Sequence, residues 1–261
     1  MKDVINLQIW QMASAYVFIV VLLIFVRIRG ISREKEILIS ALRMTLQLIL
    51  VGYILVYLFE NINPLYTILV IIIMEIFAIY NIFKRTKTKL SKPLKKIIAI
   101  SMLLGTLSSI LYFLFIVVNI SPWYDPRYFI PISGMIIGNS MTGISLGVTR
   151  LVDGMHTQKH LVESALMLGA TPRMAAKKIV NNAFDSAILP TINSMVGMGI
   201  VFLPGMMTGQ ILSGISPITA IEYQIAIMLG ILGSVSLTVI LFINLGYKTF
   251  FNGESQLVIG D

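Results

Sequence analysis

Seven apolar stretches, each long enough to cross the hydrocarbon core of a bilayer, dominate this sequence. They run Ile9–Phe25, Ile39–Phe59, Leu65–Phe83, Ile97–Val118, Pro131–Val148, Ile188–Leu212 and Ile221–Leu245. A helix rises 1.5 Å per residue, so roughly 20 apolar residues span the ~30 Å core. The chain is 57% hydrophobic and 12% charged, about half the charge that a water-soluble domain carries. The expected fold is therefore an all-α membrane protein of about seven transmembrane helices, in one transmembrane domain over 1–261. The N-terminal "MKDVINLQIWQMAS" has one lysine offset by an aspartate and no small-residue cleavage site after its apolar run. Its apolar segment reads as a retained helix.

The formal charge of +8 is distributed as membrane topology, not as a nucleic-acid surface. "RIRGISREKE" follows the first stretch and "KRTKTKLSKPLKK" the third. Arg150, Lys159, Arg173, Lys177 and Lys178 fall between the fifth and sixth, and Lys248 follows the last. The alternate connections, "ENINP", "NISPWYDPRYF" and "SGISPITA", contain only Arg127. Basic connections stay cytoplasmic, which predicts N-terminus out and C-terminus in. Trp123, Tyr124 and Tyr128 suit an outer aromatic belt.

The fifth stretch is rich in Gly, Ser and Asn. The pairs Gly134/Gly138 and Gly143/Gly147, each four apart, give it a small-residue face for close helix contact, so it belongs inside the bundle.

Several polar groups interrupt the apolar stretches. Arg43 and Gln47 share a face of the second, and Glu75 lies near the middle of the third at the depth of Gln47. A Glu75–Arg43 ion pair locking two helices is one reading, and a cation-handling carboxylate on a transport path is the other. Asn139 and Asn193 are expected to bond between helices. In "FLPGMMTGQILSG", Pro204, Gly205 and Gly209 predict a kink or break. There Met206, Met207 and Gln210 would line a cavity or pack in the core.

Between the fifth and sixth stretches lies a cytoplasmic region of about residues 150–187. Leu161, Ala165 and Leu168 follow helical spacing, with Lys159 and Glu163 facing away. Gly169 fits a helix-ending position, followed by Ala170, Thr171 as N-cap and Pro172 as the first residue of the next helix. That helix has an apolar stripe of Ala176, Ile179, Val180, Ala183, Phe184 and Ala187, and it runs into the sixth stretch. It can lie in the headgroups, or the hairpin can dock in another protein's groove.

Asp153, His156, His160 and Glu163 recur at three and four residues, a spacing that suits a solvated helix face or a metal held by His156 and His160. The string "HTQKH" lacks the glutamate of the HExxH zinc proteases. No GxxxxGK[ST] loop occurs, so the chain itself has no phosphate-binding loop for ATP hydrolysis and is not expected to be an enzyme. With no cysteine, thiolate chemistry is absent.

"ESALMLGA" resembles the EAA loop of bacterial ABC-transporter permeases, matching it at Glu163, Ala165 and Gly169. "AILP", ending at Pro190, lies further downstream than the Ile-x-Leu-Pro of that pattern. "LRMTLQLILVGYILVYLF", "GMIIGNSMTGISLG", "LGATP", "LPTINSM" and "LPGMMTGQILSGISPITAIEYQI" resemble the FetB-like iron-export ABC permease family over almost the whole chain. The resemblance implies a multi-pass subunit of a bacterial cell membrane, acting as a homodimer with a separate cytosolic ABC ATPase that holds ATP and Mg. It implies iron export and a coupling role for the Glu163–Pro172 region. Plant relatives are associated with aluminium tolerance and UDP-glucose transport, so a nucleotide-sugar substrate is an alternative. A secondary metal/proton antiporter using Glu75 is another.

Overall fold

A computed structural model describes residues 8–86 and 90–258, and among these every regular element is helical. The chain divides into two compact units, Met1–Ile62 with Leu212–Gly214, and Asn63–Ile211 with Ile215–Asp261.

The first unit holds α1 (Ile9–Ser14), α2 (Val17–Ile28) and α3 (Glu34–Glu60). α2 packs along α3, and the hydroxyls of Tyr16 and Thr45 hydrogen-bond between them. The outward side chains of α3, such as Leu46, Leu48 and Leu50, are exposed, as a lipid-facing helix requires.

In the second unit α4 (Pro64–Arg85) and α5 (Lys92–Tyr112) are followed by a π-helical turn, Phe113–Val118. Next come α6 (Pro126–Thr157), α7 (Lys159–Met167), α8 (Pro172–Gly197), α9 (Gly205–Leu212) and α10 (Pro217–Gly246). Five of these helices start alike. Asn63, Ser91, Asp125, Thr171 and Ser216 each accept a backbone N–H through the side chain, with proline at the first or second helical position. The cap satisfies one orphan donor, and proline costs none where no intrahelical bond is due.

The helix α6 is the axis of this unit and touches α4, α5, α8 and α10. Its glycines set the spacing. A Cβ on Gly143 would lie 2.8 Å from Val235 Cγ1 and 3.2 Å from the Ala187 carbonyl, and one on Gly147 3.5 Å from Ala187 Cβ. Gly134 meets only Met74, whereas Gly138 has nothing within 4 Å. The expectation of a small-residue face inside a bundle thus holds at Gly143 and Gly147. Such close approach maximises dispersion contact where lipid supplies no hydrophobic drive between helices. Around it Ile98, Met102, Ile136, Ile144, Leu151 and Phe242 are fully enclosed.

Among the described residues, six helical segments are long and apolar enough to cross a membrane by length and composition: Ile9–Ile28, Glu34–Glu60, Pro64–Arg85, Lys92–Val118, Pro126–Thr157 and Pro217–Phe250. The expected sixth span, Ile188–Leu212, is not one helix. The helix α8 stops at Gly197, a turn follows with Gly199 at φ +83°, and α9 begins only at Gly205. The interruption therefore starts at Met198, before Pro204 is reached. Glycines at 197 and 199 leave that turn with little helix propensity, whereas Pro190 sits within α8 without ending it.

Candidate functional site

The hairpin α7–α8 forms as its punctuation predicts. Ala170 N–H donates to the Ala165 carbonyl at 3.0 Å and Gly169 N–H to that of Leu166 at 2.9 Å. With Gly169 at φ +87°, this is a Schellman closure, which glycine enters without a Cβ clash. Thr171 Oγ1 then accepts the Met174 N–H at 3.4 Å, starting α8 at Pro172.

The two helices treat their apolar residues differently. On α8 four residues of the expected stripe are buried, Ala176, Ile179, Ala183 and Ala187 at 2% exposure or less, while Val180 and Phe184 are partly buried against the core. A Cβ on Gly154 would fall 2.5 Å from Ile179 Cγ2, and Gly147 faces Ala183 and Ala187. The stripe therefore packs on α6, not on a flat headgroup layer. On α7 the expected apolar face is corrected. Val162 is the buried residue at 1%, while Leu161 (69%), Met167 (87%) and Leu168 (89%) are exposed. The short helix has only α6 and α8 to lean on, so one residue per turn is covered. Glu163 lies 3.8 Å from Lys159 Nζ and 4.0 Å from His160 Nδ1. Beside it a cleft of about 430 Å³ separates Glu163, Leu166, Met167 and Ala170 from the C-terminal turn Glu254–Leu257.

The metal-type spacing is not on one helix. Asp153 and His156 end α6, while His160 and Glu163 belong to α7, because the chain bends at Gln158. Among the described residues no three His, Cys, Asp or Glu side chains are grouped to hold a metal ion.

Glu75 is buried at 2% exposure. The Thr106 hydroxyl donates to its Oε1, and its Oε2 has no hydrogen-bond partner among the described residues. Thr106 is a partner that sequence spacing did not single out, because it lies on the next helix. Arg43 and Gln47 are exposed on α3 in the first unit.

At the interruption, Pro204 does not offer a free carbonyl: Thr208 N–H and Oγ1 bond to it at 2.9 and 3.0 Å. Met207 is buried at 7%, Met206 is partly buried against the core, Gln210 is half-buried and Gly205 is exposed. The break also brings Met198 to Gln224, whose Nε2 lies 3.7 Å from the thioether sulfur, a contact the sequence did not announce. Asn139 is not an interhelical bridge, since its Nδ2 donates to the Met135 carbonyl of its own helix at 2.7 Å. Asn193 is exposed.

Long helices with apolar outer surfaces and a packed small-residue interior define an integral, multi-pass membrane protein. The chain belongs to the family described as "Uncharacterised protein family (UPF0014)", which matches residues 9–251. It is 33% identical to the "Probable iron export permease protein FetB" of Escherichia coli K12, over 97% of this chain and 96% of that one. It is also 33% identical to the "UPF0014 membrane protein YjkA" of Bacillus subtilis 168, covering 95% and 97%. Identity to the "Protein ALUMINUM SENSITIVE 3" of Arabidopsis thaliana is 36%, covering 94% and 88%. No solved structure matches the chain. The protein is a membrane permease of this family.

Proposed function

We propose that this permease is the membrane subunit of an ATP-binding-cassette transporter that exports iron, working as a homodimer with two copies of a separate cytosolic ATPase. ATP and Mg belong to that partner. The observation that carries the reading is the tip of the α7–α8 hairpin. It presents Leu161, Met167 and Leu168 to the outside and is joined through an unbroken α8 to the core of the bundle. Apolar side chains this exposed on a hairpin outside the membrane suit a protein partner. Closure of the ATPases would press on α7, and α8, seated on α6 at Gly154 and Gly147, would carry the movement inward.

In this reading the N-terminus is outside and the C-terminus inside. The end of α8, the interruption and α9 complete a seventh crossing, and the interruption is the element that changes shape. Iron as cargo rests on the printed name of the Escherichia coli relative; a nucleotide sugar is the alternative cargo.

The test seeks an ATP-binding-cassette ATPase that co-purifies with the intact chain and reconstitutes the two together. Glu163→Lys or Gly169→Val is expected to abolish stimulation of ATP hydrolysis while membrane insertion is unchanged. Wild-type stimulation in both variants would overturn the docking role, and unchanged cellular iron on deletion of the protein would overturn the cargo.

Buried Glu75, with one oxygen unpartnered among the described residues, favours one other reading: a secondary metal/proton antiporter with this carboxyl as the proton-linked group. Export that survives loss of the ATPase and collapses with an uncoupler would select it.

A further inference from the structure

The helices α5 and α10 run antiparallel and meet closely at two glycines, Gly105 against Thr238 and Gly230 against the ring of Phe113. Beside these contacts lies a groove of about 900 Å³, lined by α5, the π-helical turn and α10, all within the second unit. On α10, Glu222, Ala226, Gly230, Gly233 and Leu237 follow at three- or four-residue intervals and so share one face of the helix. The small residues in the middle of that face hollow it out. A Cβ on Gly230 would lie 2.7 Å from Phe113 Cδ2, so Phe113 forms the floor there, whereas a Cβ on Gly233 would meet nothing within 4 Å. Tyr112 and Leu229, both exposed, form the walls.

The groove is apolar along its length because its hydroxyls are already bonded elsewhere. Ser108 Oγ donates to the Leu104 carbonyl at 2.6 Å and Ser109 Oγ to that of Gly105 at 2.7 Å. The Ser234 hydroxyl bonds to that of Ser140 at 3.0 Å. Glu222 is the one charged residue of the lining, and no ion pair among the described residues involves it. It stands at the surface end of the groove. Glu222 lies close to Pro217, where α10 begins. The connection beyond the π-helical turn carries Trp123, whose ring packs on Phe115 at 6.3 Å, and tryptophan favours headgroup level.

Dimensions narrow the choice of occupant. From Leu237 to Glu222 the helix rises roughly 22 Å. That is one leaflet, half of the ~40–45 Å that a bilayer measures with its headgroups. Volume over that length gives a width on the order of 6–7 Å, too narrow for a further helix of about 10–12 Å diameter. The occupant is therefore a thin apolar chain about one leaflet long, and the Glu222 carboxylate calls for a cation at its surface end.

We infer that the α5/α10 groove holds one acyl chain of a phospholipid whose ammonium headgroup pairs with Glu222. The site involves neither the α7–α8 hairpin nor Glu75, so its test is separate from those of the transport readings.

Two probes with the same diazirine-bearing acyl chain, a phosphatidylethanolamine and a phosphatidylglycerol, are each traced into phosphatidylglycerol vesicles holding the intact protein. After irradiation, adducts are mapped on residues 108–117 and 225–237 and compared with residues 46–50, an exposed stretch of α3. The groove is expected to be labelled in excess over α3. The ethanolamine probe should lead roughly fivefold, the effect of one charge contact at the interface. Glu222→Gln should bring the two probes level. Gly233→Leu, which projects into the open space, should remove groove adducts of both. Equal labelling of groove and α3 overturns the site, and equal yields from the two probes in the parent protein overturn the ammonium contact. Undiminished groove adducts in Gly233→Leu place the chain elsewhere and overturn the seat. No groove adduct with either probe means that protein covers the groove, a second copy included, and overturns the lipid.

Discussion

Thr106 on α5 donates its hydroxyl proton toward Glu75 on α4, and the same hydroxyl lies 2.7 Å from the Met102 carbonyl of its own helix. Glu75 has no other hydrogen-bond partner among the described residues. Thr106→Val keeps the shape and removes that partner, leaving a buried carboxyl unsatisfied at a cost of about 1–3 kcal/mol. The thermal midpoint of the purified permease in detergent should fall for Thr106→Val and hold for Thr106→Ser. Equal midpoints for the two variants would show that the bond contributes nothing.

Two glycines should respond oppositely to the same methyl group. A Cβ on Gly105 would sit 2.3 Å from Thr238 Oγ1 and 2.8 Å from Thr238 Cα, so backbone has to move; Gly138 has nothing within 4 Å. Gly105→Ala is expected to cost about 1–3 kcal/mol through overpacking, read as lost folded yield on size exclusion. Gly138→Ala should be neutral or better, since alanine favours helix.

Gly154 and Ile179 form the contact that ties α8 to the end of α6, with a built Cβ 2.5 Å from Ile179 Cγ2. Gly154→Ala should destabilise by about 1–3 kcal/mol. Adding Ile179→Ala should restore much of that loss, because the two share one space. A double variant no more stable than the sum of the singles would place the clash elsewhere. Urea titration of the reconstituted protein measures the cycle.

Met167 and Leu168 are almost wholly exposed, at 87% and 89%. Changing both to serine should leave thermal stability within about 0.5 kcal/mol of the parent, as for other exposed positions. Stimulation of the proposed partner ATPase should nevertheless be lost. Intact stimulation would remove the hairpin tip from the docking surface.

The α7–α8 hairpin is legible in the sequence because its signals are local. Gly169, Thr171 and Pro172 each act through backbone geometry within a few residues, so their roles follow from spacing. The buried stripe from Ala176 to Ala187 was legible for the same reason. Partners on other helices were not: Thr106 lies 31 positions from Glu75, and no periodicity relates them. The buried face of α7 differs from the expected one because burial of a nine-residue helix depends on what leans against it. The break before α9 was placed at Pro204, since proline is the stronger local signal, yet Gly197 and Gly199 end the helix first.

By itself the sequence determined that this chain lives in a membrane, which connections carry the positive charge and where α7 ends and α8 begins. These follow from transfer free energy and local backbone geometry, which depend on residue type and near neighbours. The tertiary structure decided which glycines are contact points, which carboxyl is sealed, and that α5 and α10 leave a groove ending at Glu222. Those relations depend on how helices cross, and crossing is fixed by side-chain volumes distant in the chain.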